Sequence, residues 1–356
     1  VPASDWFDSF GLIRYDEIHM YCAKQRSTIF RKAQAMVTLG MSGTCYERLD
    51  KLDPIAHQHI GKPIEIKKLP GYLDPNKTIG WKTQVQVMKY KGHPKYIKKI
   101  VGMKGWVQFA SMITQFCLDP FRTQLIIEKA MEYYNEERNT FIFVDRRRFV
   151  ELYTQLFRSI LSDDEVEAPE LDANFVMGGV TKNRKNDAKT KGRICCVTYD
   201  AAGTGLSFDR YDTVIYATPR KTGYKQYINR VYRLGGNSKI TRIICDIVDA
   251  STSIKSQHYF RKKVYLAEKC PSDIDKQDPE NKAEFELVQK TVQWSDYKLC
   301  KAVKSVYNDP VTLKDLRDNL KKYVGDISIF HEDVEGDMDK MSDLDKINHM
   351  LDKMFE

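Results

Sequence analysis

No stretch of this sequence approaches the ~20 consecutive apolar residues that cross a bilayer as a helix, and no secretory leader pattern opens it. The expectation is a soluble, intracellular chain with no membrane partner. No two of the eight cysteines (22, 45, 117, 195, 196, 245, 270 and 300) stand at CxxC spacing, which speaks against zinc-ribbon and thioredoxin-like arrangements. Several lie inside apolar runs and read as reduced core residues. Internal repeats and low-complexity tracts are also lacking. The glycine-rich phosphate loop GxxxxGKS or GxxxxGKT occurs nowhere. Its nearest approach, Gly61-Lys62-Pro63, has proline after the lysine and no glycine upstream at the right spacing.

What is present suffices for two compact domains and a tail: 356 residues, 42% of them hydrophobic. Charge is uneven. Residues 63–262 carry 34 Lys and Arg against 21 Asp and Glu; 263–356 carry 15 against 21, and 1–62 carry 8 against 7. A basic middle suits a polyanion such as nucleic acid, although ordinary solubility charge has the same look. From Glu332 onward nine acids and three lysines read as a solubilising or partner-binding tail.

The most patterned stretch is 193–250. Three β-branched runs, Ile194 to Thr198, Thr213 to Ala217 and Ile240 to Val248, have the length of strands buried on both faces. Gly203-Thr-Gly205-Leu-Ser207 follows the first, and Gln226-Tyr-Ile-Asn-Arg230-Val-Tyr-Arg233 separates the second from the third. This switching of period predicts a parallel α/β sheet. Arg230 and Arg233 are three apart, so a helix projects both from one face. Two guanidinium forks that cannot lose their charge suit a phosphate chain, while on a solvated helix the same spacing means only solubility.

Earlier in the chain, a short apolar run from Phe10 ends in Asp16, Glu17 and His19. Acids at a strand's carboxyl end lie where α/β sheets bind ligands. One carboxylate can hold Mg²⁺ and a second can orient a water. Val37 to Gly40 is a second apolar run, leading into Ser42, Gly43 and Thr44. Pro63 to Pro75 reads as a crossing between domains. Thr83 to Lys91 alternates as a strand, and Lys89, Lys91, Lys95, Lys98, Lys99 and Lys104 interleave with Trp81, Tyr90, Tyr96 and Trp106. Such a patch grips a nucleic-acid strand by phosphate pairing and base stacking, or is a hairpin face with solvated lysines. Asp119-Pro120 opens a helix carrying Leu125, Ile126, Ile127, Ala130 and Met131 inward. Thr140 to Val144 is a buried strand delivering Arg146, Arg147 and Arg148. Phe175 to Thr181 adds a strand and a Gly178-Gly179 turn, whose amides could approach a phosphate closely. Helical patterns are expected around 281–307 and 311–324.

Taken in order, these pieces resemble superfamily 2 helicases. Asp16-Glu-Ile-His19 resembles motif II and Ser42-Gly-Thr44 motif III. The Thr140–Val144 strand with its basic cluster Arg146 to Arg148 resembles motif IV, Gly203 to Ser207 motif V, and Gln226 to Arg233 motif VI. Asn229 stands where the family usually has glycine, and Ser207 where it usually has aspartate. The Phe10-Gly-Leu opening, His57 to Gly61, the Gly-Gly-Val-Thr turn and the ending at Asp249 look most like XPB-type DNA translocases, above all those of nucleocytoplasmic large DNA viruses. The likeness covers roughly residues 8–268.

The resemblance implies an α/β fold of tandem RecA-like domains with a helical, acidic C-terminal extension. Residues 1–62 would be the carboxyl part of the first domain, 63–75 the crossing, 76–268 the second domain and 269–356 the extension. With Val1 at the start and no phosphate loop, the amino-terminal half of the first domain is expected to lie outside this sequence. The implied activity is ATP-dependent helicase or translocase work on DNA, with ATP and Mg²⁺ between the two domains. The implied catalytic set is Asp16 (on the metal), Glu17 (on the water), His19, Gln226, Arg230 and Arg233, with Gly205 also on the nucleotide. Ser42, Thr44, Arg146, Arg147, Gly178, Gly179 and Thr198 would contact nucleic acid, DNA favoured over RNA. Transcription or replication proteins would meet the extension, and a viral protein would work in host cytoplasm or virion. Two alternatives stay open: a non-catalytic nucleic-acid-binding or scaffold subunit, and an RNA helicase or transcript-release factor.

Overall fold

A computed structural model describes residues 10–23, 25–33, 35–42, 51–70, 81–103, 105–203, 208–220, 224–232, 237, 239–267, 284–308 and 313–324. They fall into two compact units, 10–70 and 81–324. Among the described residues no helix is long and apolar enough to cross a membrane.

The first unit is built on two parallel strands, β1 (Leu12–Tyr15) and β2 (Val37–Gly40), in register from Leu12 opposite Val37 to Tyr15 opposite Gly40. Its core is small. Tyr15, Ile18, Cys22, Phe30, Ala33 and Ala56 are buried together, with Tyr15 and Phe30 edge to face at 5.2 Å. Phe30 comes from the short helix α1 (Ile29–Lys32) and Ala56 from α2 (Pro54–Ile60). The packing is close at one point: a Cβ on Gly40 would lie 2.4 Å from Ile18 Cδ1, so glycine lets strand and turn meet.

The second unit is a seven-stranded sheet. Its strands are β3 (Lys82–Lys91), β4 (Thr140–Val144), β5 (Ala173–Val176), β6 (Ile194–Thr198), β7 (Thr213–Tyr216), β8 (Arg242–Asp249) and β9 (Glu284–Gln293). Their order is β5-β6-β4-β7-β8-β3-β9, and every pairing is parallel. The alternation of a pleated strand divides each run between two cores. In β4, Ile142 and Val144 face one while Phe141 and Phe143 face the other.

Over the first core lie α3 (Phe109–Cys117), α4 (Pro120–Asn135) and α5 (Arg147–Asp163), joined by α11 (Lys301–Val306) and α12 (Leu313–Val324). Between α5 and β5 is the short α6 (Pro169–Asp172). Over the second core lie α7 (Lys182–Thr190), α8 (Tyr199–Gly203), α9 (Tyr224–Ile228) and α10 (Gln257–Ala267). Helices on both faces of a parallel sheet make the α/β class expected from the sequence.

Buried ion pairs tie the sheet to these helices. Arg122 of α4 forks onto Asp249 at the end of β8 at 2.7 and 3.1 Å, and its third bond reaches the Ala217 carbonyl at 2.6 Å. On the opposite face Asp246 of β8 accepts from Arg261 at 2.8 Å and Tyr265 at 2.9 Å, with His258 at 3.1 Å. Burial works against the Asp246 charge, but the Arg261 guanidinium and the His258 contact outweigh it and hold the carboxyl at about 2.

One expectation is corrected. Residues 284–293 form the edge strand β9, not part of a helix over 281–307, and β9 pairs with β3 along its whole length. A short apolar alternation of Phe285, Leu287 and Val292 won over the helical pattern, because two of the three land on one sheet face, against the second core. Of the two readings of the basic aromatic stretch, the hairpin with solvated lysines is the one that forms among the described residues. Trp81, Tyr90 and Tyr96 are buried, and Trp106 alone of the four is exposed. The helix from Pro120 is as expected: the Asp119 carboxylate accepts from the amides of Phe121 and Arg122, and Leu125, Ile126, Ile127 and Ala130 are buried. The described cysteines are free, and burial pushes the Cys117, Cys196 and Cys245 thiols up to about 12, keeping them protonated and inert.

Candidate functional site

In the first unit the chemistry gathers where β1 and β2 end. The chain leaves β1 through Asp16 and Glu17. The Asp16 carboxylate accepts from the Glu17 amide at 3.0 Å, and Glu17 adopts φ 48 and ψ 51, a left-handed conformation uncommon outside glycine. That turn reverses the backbone at once into a 3₁₀ turn, Ile18–Cys22. Two backbone bonds join it to the end of β2: Met41 N–H to Tyr15 C=O and Ile18 N–H to Met41 C=O, both 2.9 Å. Ser42 is thereby delivered to the acids. Its hydroxyl donates to Glu17 Oε2 at 3.4 Å, and His19 Nδ1 lies 2.7 Å from the same hydroxyl and 3.3 Å from Glu17 Oε2. With Ser42 donating to Glu17, the arrangement assigns the imidazole proton to Nδ1, which donates to Ser42.

Asp16 is exposed beside this cluster. A single carboxylate at a strand end, open to solvent, is the donor set Mg²⁺ uses when waters and phosphates supply the rest. Among the described residues no group of three or more metal-ligating side chains occurs, so a site depending on protein ligands alone finds no support, whereas the shared kind fits. Thr44 lies outside the described residues.

In the second unit the expected nucleic-acid residues sit at the carboxyl ends of three neighbouring strands, β5, β6 and β4. Arg146 and Arg147 follow β4 and open α5, with Arg146 Nε 3.6 Å from Asp145. Arg147 lies over the glycine turn after β5: a Cβ on Gly178 would meet its Nη2 at 2.6 Å. Gly179 has φ 86, a conformation that glycine adopts without strain. Thr181 then caps α7 by accepting from the Arg184 amide at 3.4 Å. Thr198 ends β6 and caps α8, accepting from the Ala201 amide at 3.3 Å. So Arg147 and Gly178 are brought together, with Gly179 next in the turn, whereas Thr198 is engaged in capping and buried.

The helix expected to carry both arginines is shorter than its pattern. It ends at Ile228, and Arg230 sits in the following turn, where its amide bonds to Tyr227 C=O at 3.1 Å and that of Val231 to Ile228 C=O at 3.1 Å. Bonds of the i→i−3 kind tighten the chain and end the helical register, so Arg230 is placed by a turn and is buried there. Gln226 falls within α9. Arg233 and Gly205 lie outside the described residues.

One further group, to which the sequence assigned no role, stands at the same end of the sheet. Arg220, just beyond β7, pairs with Asp200 at 3.0 Å and approaches Asp145 at 3.8 Å, its guanidinium over the rings of Tyr199 and Tyr227. Thr218 holds this end together by accepting from the Asp145 amide at 2.8 Å and from Tyr199 OH, through its carbonyl, at 2.6 Å. The available signal was positional: Thr218-Pro219-Arg220 directly follows a strand of a parallel sheet, where ligand-facing loops emerge.

No family model matches the chain. Among curated proteins it is similar to the African swine fever virus protein named "Putative ATP-dependent RNA helicase QP509L", 29% identical over 278 residues, covering 75% of this chain and 52% of that protein. It is also similar to the "ATP-dependent DNA helicase uvsW" of Enterobacteria phage T4, 25% identical over 304 residues, covering 81% and 56%. The crystal structure of T4 UvsW superposes with a TM-score of 0.43 at 18% identity, covering 82% of this chain and 56% of that one. The chain thus spans about half the length of the curated relatives it matches. The two curated relatives share a viral or phage origin and a helicase name, the coarser half of the resemblance; the likeness to XPB-type translocases rests on the motifs.

Proposed function

We propose that this chain is part of an ATP-dependent helicase or translocase that works on DNA. The observation that carries the reading is the Glu17–His19–Ser42 cluster beside Asp16. It joins the ends of two adjacent strands by side-chain bonds, so a change at the acids is felt at Ser42 and whatever Ser42 touches. Such a linkage is what coupling nucleotide chemistry to nucleic-acid movement requires.

In this reading Asp16 would hold Mg²⁺. The ion, when bound, neutralises charge on the phosphates. Glu17 orients and deprotonates the attacking water, and His19 and Ser42 fix the Glu17 carboxylate through the Oε2 they share. Arg230 would stabilise charge on the transferring phosphoryl group, as its likeness to motif VI implies. Arg147 and the amides of Gly178 and Gly179 hold the nucleic-acid backbone, since a guanidinium over a glycine turn offers donors and little obstruction. DNA is favoured over RNA by the XPB-type motifs. RNA is the second reading, supported by the name of the African swine fever virus relative.

Nucleic-acid-stimulated ATP hydrolysis by the full-length protein, with DNA and RNA compared, is the test. Glu17→Gln and Arg230→Ala are each expected to lower kcat about 10³-fold or more while nucleic-acid binding is kept. Hydrolysis undiminished in both variants would overturn the assignment, and stimulation by RNA alone would replace DNA with RNA.

A further inference from the structure

The connection between β3 and α4 is unlike the rest of the second unit. From 75 to 118 the sequence holds eight lysines and neither aspartate nor glutamate. The connection leaves the carboxyl end of β3 at Lys91 and returns to the same place, because Asp119 at its far end accepts from Tyr90 OH at 2.8 Å. Since all seven strands are parallel, that is the end of the sheet from which Arg146, Gly178, Gly179 and Thr198 also emerge.

Within this connection the chain makes an antiparallel hairpin. Val101 bridges Val107, the Gly102 amide donates to Trp106 C=O and the Gln108 amide to Ile100 C=O, each at 2.9 Å. Gly105, at φ 74, closes the tip by donating to Gly102 C=O at 2.9 Å. The base is fixed as well: the Gln115 amide donates to Lys98 C=O at 3.0 Å, and Ile100 packs on the core. The tip, in contrast, leaves Met103 fully exposed and Trp106 78% exposed. Lys95, Lys98 and Lys99 are exposed on its approach.

We infer that this hairpin is a stacking element for single-stranded nucleic acid, with the Trp106 indole on a nucleobase and Lys98 and Lys99 on adjacent phosphates. The inference rests on the nucleic-acid reading above and adds a contact to it. An aromatic face held out on a hydrogen-bonded arm loses little conformational freedom when a base stacks on it, and every base has a face to offer. The flanking lysines select the partner: protein interfaces are depleted of lysine, whereas a phosphate chain gains from each one. Tyr90 and Tyr96, which the sequence also offered, are core residues, so stacking falls to Trp106.

Binding of the full-length protein to a fluorescent oligothymidine, followed by anisotropy over a salt series without nucleotide, tests this. Trp106→Ala is expected to weaken binding about tenfold, Trp106→Phe to retain most of it, and both to melt close to the wild-type temperature because the side chain is 78% exposed. The salt slope stays unchanged in Trp106→Ala, but falls by about 1.4 when Lys98 and Lys99 are both changed to Gln. Wild-type binding that Trp106→Ala leaves intact overturns the hairpin's role alone and hands the exposed tip to a protein partner. A wild-type protein that binds neither DNA nor RNA overturns the nucleic-acid reading and the hairpin's role with it.

Discussion

The two units differ in how they hold their working residues. In the first, a two-stranded sheet and, among the described residues, a cluster of six buried side chains support a group held by bonds within and between two strand ends. In the second, the candidate contacts ride on a seven-stranded sheet whose helices are fastened by fully buried charges, Arg122 to Asp249 and Asp246 to Arg261. A group held by a few bonds between strand ends is easier to shift than one whose sheet is fastened by buried charge pairs. The contrast predicts that single substitutions act on stability in the second unit and on local geometry in the first.

The sharpest way to break that contrast is Arg122→Ala. It strands the Asp249 carboxylate in the core and removes the donor to Ala217 C=O, at an expected cost of about 3–5 kcal/mol, read as a lower urea midpoint. A loss below 1 kcal/mol would mean that the pair does not fasten the sheet. Next comes pH. The Asp246 carboxyl is held at about 2 when folded, below its ordinary value near 3.8, so its contribution is fully present above about pH 4 and is lost as pH falls toward 2. Urea midpoints taken down that range should lose about 2 kcal/mol of stability, and Asp246→Asn should flatten the slope. The smallest effect belongs to the first unit. Gly40→Ala pushes a Cβ against Ile18 at a cost of about 1 kcal/mol, read as faster amide exchange at Ile18 and Met41. Unchanged exchange there would show the turn to be looser than its contacts indicate.

These differences also decide what could be read before the structure. The parallel sheet of the second unit was legible because its strands are short β-branched runs with no polar interruption, and strand ends placed Asp16, Glu17, Arg146 and Gly178 correctly. Burial was not legible in the same way. Tyr90 and Tyr96 alternate with lysines, as a surface patch would, yet both rings turn inward while the lysines reach solvent. Nor did the sequence announce that Arg122 and Arg261 are internal, since a charged residue in a helix looks exposed until its partner, 127 positions away for Asp249, is known. Arg230 followed a helical pattern that a tight turn cut short. The bond between Ser42 and Glu17 spans 25 positions, and only the register of β1 on β2 reveals it.

The place of β9 carries a consequence for synthesis. Strand β3 lies between β8 and β9, so its partners are made long after it, with Gln84 and Glu286 separated by 202 positions. During translation β3 waits with both edges bare, and it cannot be covered on its outer side before residue 293 has left the ribosome. Contacts so distant in sequence form slowly, and a ten-residue edge left open invites pairing with another chain. A copy of this protein cut short before β9 should therefore be found in aggregates, whatever the state of the residues that do the chemistry.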